Sequence, residues 1–127
     1  MSDIIQQLKF DENGLLVAIA QDFQNNDILM VAYMNREALE KTLKGPNVTF
    51  WSRSRKKLWT KGEESGHTLE VKEIFYDCDG DALIIKVKNN GPVCHEGYRS
   101  CFFRKIENGE SKIIAERMKD PKEIYKK

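Results

Sequence analysis

Short apolar runs alternate along the chain with clusters of turn-forming residues. LLVAIAQDF, from Leu15 to Phe23, is apolar with β-branched members, and a second apolar run spans Ile28 to Tyr33 beyond Asn25, Asn26 and Asp27. Two such runs about a turn predict a β hairpin. The period then changes. In NREALEKTLKGP, Asn35 is a good N-cap, Glu37 lies in the first turn where the helix dipole favours an acid, and Gly45-Pro46 ends the segment. A short helix is expected here. Ala38, Leu39 and Leu43 share the face that should pack on a sheet, and Met34 is placed to staple onto Leu39.

Beyond the helix the strand pattern returns. Val48 to Ser52 and Leu58 to Lys61 read as strands about the basic turn Arg53-Ser54-Arg55-Lys56-Lys57. Thr68 to Tyr76 and Ala82 to Lys88 alternate loosely with period two on either side of Asp77-Cys78-Asp79-Gly80-Asp81. Asn89-Asn90-Gly91-Pro92 breaks the pattern, and CFFRKIENGESKII predicts a last hairpin about Asn108-Gly109, with a charged tail from Glu116. No internal repeat or low-complexity segment interrupts this order. The expected class is α+β and mostly β, a mixed or antiparallel sheet forming a small barrel-like domain with one or two short helices.

Composition narrows the picture. A length of 127 residues fits a single domain spanning 1–127, and 40% hydrophobic with 32% charged residues is the balance of an ordinary globular protein. With 21 Lys plus Arg against 20 Asp plus Glu, the net charge of +1 argues against coating nucleic acid or anionic lipid. MSDIIQQLKFDENG offers no apolar run long enough for a signal peptide or a membrane span, so a cytoplasmic location is expected, with neither membrane nor nucleic acid as a partner. A reducing compartment disfavours disulfides, and three cysteines cannot all pair within one chain.

The cysteines are the first candidate chemistry. Cys78, Cys94 and Cys101 all fall within one stretch, and the last two bound CHEGYRSC. Thiolates suit zinc, and three protein ligands with one open position describe a catalytic site; the competing reading is three small buried hydrophobes. Asp77, Asp79 and Asp81 alternate about a glycine and can aim at one hard cation such as magnesium, or form a solvated acidic turn. Arg53, Arg55, Lys56, Lys57 and Lys61 lie with no acid among them around Trp51 and Trp59. Guanidinium forks match phosphate and indoles stack on bases, although an exposed hairpin shielding a sheet edge has the same composition. His67 ends the glycine-flanked loop Gly62-Glu63-Glu64-Ser65-Gly66 and is a candidate general base, or an exposed loop histidine. His95, next to Cys94, is open to roles as ligand, outer partner or proton carrier.

Taken together, FWSRSRKKLWTKGEESGH, DCDGDAL and GPVCHEGYRSCF, with VAYMNREAL upstream, resemble the phosphoribosyl-AMP cyclohydrolase family of histidine biosynthesis in its monofunctional form. The resemblance implies hydrolytic opening of the adenine ring of 1-(5-phosphoribosyl)-AMP in an intertwined homodimer. It implies one zinc per subunit on Cys94 and Cys101 with Cys78 of a second copy across the interface, and magnesium on Asp77, Asp79 and Asp81. His67 and His95 become the catalytic candidates. Trp51, Arg53, Arg55, Trp59, Lys61 and Arg99 become the substrate-binding ones. Two rivals are weaker. A zinc deaminase would need an HxE and PCxxC arrangement that is not in the sequence, and a zinc-stabilised nucleic-acid module sits poorly with near-zero net charge and three cysteines.

Overall fold

A computed structural model describes residues 2–118; of the charged tail expected from Glu116, residues 119–127 lie outside the described residues. The expected hairpin is present as β1 (Leu16–Asp22) and β2 (Ile28–Met34), paired antiparallel with a bulge between Ala20 and Gln21. Helix α2 (Arg36–Lys44) follows. Asn35 Oδ1 accepts the Ala38 amide at 2.8 Å, and the Gly45 amide, in a left-handed backbone with φ 69°, closes the last turn on Lys41 and Thr42. Met34, Ala38 and Leu39 are buried as the apolar pattern expects, and Leu43 packs at the edge of the core. The pattern does not reveal Thr42. Its buried hydroxyl donates to the Ala38 carbonyl and accepts the Thr49 amide at 3.0 Å, tying the helix to the next strand.

That strand is β3 (Thr49–Ser52), paired antiparallel with β2 and with β4 (Lys57–Thr60). β5 (Leu69–Tyr76) and β6 (Ala82–Asn89) form the second long hairpin, and β6 pairs with β1 in parallel, giving a mixed six-stranded sheet in the order β4-β3-β2-β1-β6-β5. The sheet curls into a half barrel. Before β3 begins, the Val48 amide donates to the Leu69 carbonyl at 3.0 Å and the Val71 amide to the Pro46 carbonyl at 2.8 Å, so β5 meets the approach to β3 as well as β6. β7 (Arg104–Glu107) and β8 (Glu110–Ile113) make the last hairpin as a separate two-stranded sheet. A short helix α1 (Ser2–Gln6), which the sequence reading did not locate, brings Ile5 and Leu8 under the same core.

Strand alternation decides what is inside. Leu16, Ala18 and Ala20 of β1, Leu83, Ile85 and Val87 of β6, and Met30 and Met34 of β2 fill one side with Phe50 and Leu69, and Leu29, at the register shift, is buried with them. The other side is also apolar. Phe75 lies opposite Ile84, Ile84 beside Ile19, and Ile19 opposite Val31, a row crossing four strands. Phe75, Ile84 and Val31 in that row remain exposed.

Candidate active site

The basic hairpin places its residues on alternating sides, as strands require. Phe50 takes the core position and leaves Trp51 half-buried, while Trp59 tilts against Phe50 with ring centroids 5.1 Å apart. Trp59, Arg55, Lys61, Ser52, the loop from Gly62 to Ser65 and His95 line a cleft of about 590 Å³. A second hollow of about 540 Å³ shares Trp59 and adds Trp51, Arg53 and Tyr33, with the Arg53 guanidinium 3.9 Å from the centre of the Tyr33 ring. The cationic and aromatic residues expected to hold a nucleotide are therefore brought together about one indole.

His67 lies beside this cleft rather than in its lining. The Gly62–Gly66 loop is closed by a 2.7 Å bond from the Gly66 amide to the Gly62 carbonyl, and Gly62, at φ 89°, leaves no room for a Cβ against the His67 backbone. The imidazole packs on Gly91, where a Cβ would fall 2.5 Å from His67 Cδ2. His95 is exposed and faces the basic segment across the cleft.

Cys94 is buried with Tyr98 and Phe103, whose rings stack at 3.7 Å, and it accepts the Glu96 amide on sulfur at 3.4 Å. Its thiol also meets that of Cys101. The Cys101 thiol is pushed up to about 11, first by desolvation of the sulfur, although part of the residue is exposed, then by the charge of Cys94 and a hydrogen bond with it. The Lys61 ammonium opposes that rise. Lys61 itself is held below its ordinary value by burial, against the pull of the Cys101 and Cys94 thiols. Lys61, half-buried in the cleft lining, thus links the cleft to the two thiols beside it.

Cys78 is elsewhere. It is exposed in the turn between β5 and β6, at the end of the sheet where Ala82 pairs with Val17, whereas the Cys101 amide donates to Leu29, near the Ala20–Gln21 end of β1. The intervening three or four residues of strand span on the order of 10 Å. Among the described residues one group of three or more His, Cys, Asp or Glu side chains is close enough to share an ion: Asp77, Asp79 and Asp81, with ligand atoms within 4.8 Å of one another and all exposed. Desolvation raises Asp77, but amide hydrogen bonds from Asp81, Ala82 and Gly80 prevail and hold it below its ordinary value. The hydrogen bond to Asp77 and then its negative charge raise Asp81. Crowded carboxylates of this kind gain from a cation. At Gly80, with φ 72°, an added Cβ would fall 2.9 Å from the Gln7 carbonyl oxygen, so a side chain there would collide.

Arg99 is committed to the chain itself. Its Nη2 donates to Asp22 at 2.6 Å and to Asn25 at 3.1 Å, and its Nη1 to Asp27 at 2.7 Å. Sequence reasoning missed this use because its partners lie 72 to 77 residues away, in the first hairpin turn. No helix among the described residues is long and apolar enough to cross a membrane.

A cleft that combines an indole face, two cationic side chains and a histidine beside a thiol pair has the chemistry to suit a small, aromatic, anionic molecule. Comparison with known proteins gives that pocket its family. The chain belongs to the phosphoribosyl-AMP cyclohydrolase family, whose model matches residues 30–103. Among its relatives is the phosphoribosyl-AMP cyclohydrolase of Methanococcoides burtonii, 52% identical over 95% of this chain and 98% of the relative. Those of Methanothermobacter thermautotrophicus and Pelotomaculum thermopropionicum are 50% and 51% identical, each over 97% of this chain, covering 92% and 96% of the relative.

Proposed function

We propose that the chain hydrolyses the adenine ring of 1-(5-phosphoribosyl)-AMP, the ring-opening step of histidine biosynthesis, in the cytoplasm. The observation that carries this reading is the meeting of the Trp59 cleft, with Arg55, Lys61 and His95, and the Cys94–Cys101 pair. The soft donors fit zinc and the oxygen cluster of Asp77, Asp79 and Asp81 fits magnesium. Zinc held there supplies water activation at neutral pH.

Ribosylation leaves the purine ring positively charged, so the ring carbon bearing the amino group is electrophilic. Water adds to that carbon, the bond to the ribosylated nitrogen breaks, and the opened ring leaves a single product that carries both a carboxamide and an amidine. Trp59 offers a face for the base, and Arg55 offers a fork for phosphate. His95, in the lining, takes the proton lost by water and returns it to the departing nitrogen, and His67, held against Gly91, is its alternate.

A pair of thiols is one ligand short of the open three-ligand site, and the third cysteine lies at the far end of the same sheet. We assign it to a second copy, so that Cys78 of one subunit completes the pair of the other in a homodimer. The exposed apolar row Phe75–Ile84–Ile19–Val31 supports such a partner, since monomers seldom leave a contiguous patch of this kind in water.

Purified protein should hold about one zinc per chain and open the ring of phosphoribosyl-AMP in a spectrophotometric assay. Full turnover by a zinc-free Cys94→Ala variant would end the proposal. Mixed after subunit exchange, inactive Cys78→Ala and Cys101→Ala chains should regain activity, because a hybrid dimer carries one intact and one doubly damaged site. No recovery would place all ligands within one chain.

A further inference from the structure

We infer that Arg99 is a positioning residue for the Cys94–Cys101 pair, gripped by the turn of the first hairpin, and not a substrate contact. The inference rests on the reading that this pair holds zinc. Between the two cysteines the backbone closes on itself: the Val93 amide donates to the Arg99 carbonyl, Cys94 to Tyr98, and Gly97 to Cys94. These bonds shape the loop but do not fix it to the sheet.

Two sets of bonds do. The Cys101 amide donates to the Leu29 carbonyl at 2.7 Å, and Ser100 Oγ donates to the Ile28 carbonyl at 2.7 Å. One residue earlier, the Arg99 fork spans Asp22, Asn25 and Asp27. Asp22 is only 4% exposed, and the amide of Gln24 also donates to its carboxylate at 2.8 Å. A buried carboxylate requires a partner, because its desolvation otherwise costs several kcal/mol. The turn therefore holds Arg99 as firmly as Arg99 holds the loop.

Both terminal nitrogens of the guanidinium are used, and the carboxylates that use them repel phosphate. The grip falls two residues before Cys101, so it sets where that thiol stands relative to Cys94. Groups that orient ligands without touching the metal typically contribute 10- to 100-fold in affinity.

The test is competition for zinc between the metal-stripped protein and a chromophoric chelator, with steady-state kinetics on the reloaded enzyme. Arg99→Met and Asp22→Asn should each weaken zinc binding by roughly 10- to 100-fold, and the double variant should fall little below Arg99→Met, which already removes the contact that Asp22→Asn breaks. Asp27→Asn, at the exposed end of the fork, should fold normally and lose affinity in the same direction to a smaller extent. KM measured at saturating zinc should stay near the wild-type value. A raised KM with unchanged zinc affinity in Arg99→Met would make Arg99 a substrate contact and overturn the inference, as would unchanged values of both. Should Cys94→Ala bind zinc as tightly as the wild type, the zinc site itself would be misassigned and the inference would fall with it.

Discussion

Replacing Phe75 by serine tests whether the outer face of the sheet meets a second copy. The side chain is 45% exposed in the single chain, in the row that Ile84, Ile19 and Val31 continue. An aromatic side chain offers up to roughly 200 Å², so about 90 Å² remains to be covered, which at about 25 cal/mol per Å² is worth ~2 kcal/mol. A twofold interface uses each residue twice, giving a ceiling of about 4–5 kcal/mol per dimer. Since each 1.4 kcal/mol is about tenfold, the dissociation constant should rise by up to roughly a thousandfold. Sedimentation velocity over a dilution series reads that shift, and turnover per chain should fall at the same dilutions, because the proposed site would then lack Cys78 of the second copy. The melting temperature of the dissociated chain should change little, the ring being outside the core. Unchanged self-association in Phe75→Ser, or a wild-type chain that is fully active as a monomer, would refute the argument.

Three further outcomes are expected. Thr42→Val removes the hydroxyl that accepts the Thr49 amide, leaving a buried donor unsatisfied, so urea unfolding should show a loss of about 1–3 kcal/mol. Gly91→Ala puts a methyl 2.5 Å from His67 Cδ2 at a backbone φ of 127°, so kcat should drop and the His67 ring resonances should shift in NMR spectra, while the resonances of α2 stay in place. Asp22, despite the opposing effect of its burial, is held below its ordinary value of 3.8 by the Gln24 amide and Arg99. A depressed acid adds stability that is present above that ordinary value and lost as pH falls through the folded one. Acid unfolding followed by circular dichroism should accordingly be less steep in Asp22→Asn.

What the sequence made legible is what neighbours along the chain decide. Asn35, Glu37 and Gly45 cap and end α2 within their own turns, and the Asn25–Asp27 turn joins two runs that are neighbours in the chain, so helix and first hairpin stand where the pattern put them. The parallel pairing of β1 with β6 was not legible, because it joins Val17 to Ala82 across the whole middle of the chain and both strands read alike as half-buried runs. Thr42 was passed over because a polar residue on a helix reads as exposed until a strand arrives to use its hydroxyl. The site shows the same division. The acidic turn assembles itself by local amide bonds about Asp77, and CHEGYRSC closes on its own backbone. The neighbourhood of Lys61 with Cys94 and Cys101, and the capture of Arg99 by the first turn, depend on contacts between distant segments.

The position of β4 at the end of the strand order has a consequence for solubility. Among the described residues one side of that strand has no partner strand in the sheet, and an unpaired edge is a template on which other chains can add. Lys57 stands at its first position, exposed, directly after Arg53, Arg55 and Lys56 in the turn. Cations on an edge repel an incoming copy that carries the same cations. The charge proposed to meet an anionic ligand should also oppose edge-to-edge addition, so neutralising the turn should bring precipitation into view as well as weaker binding.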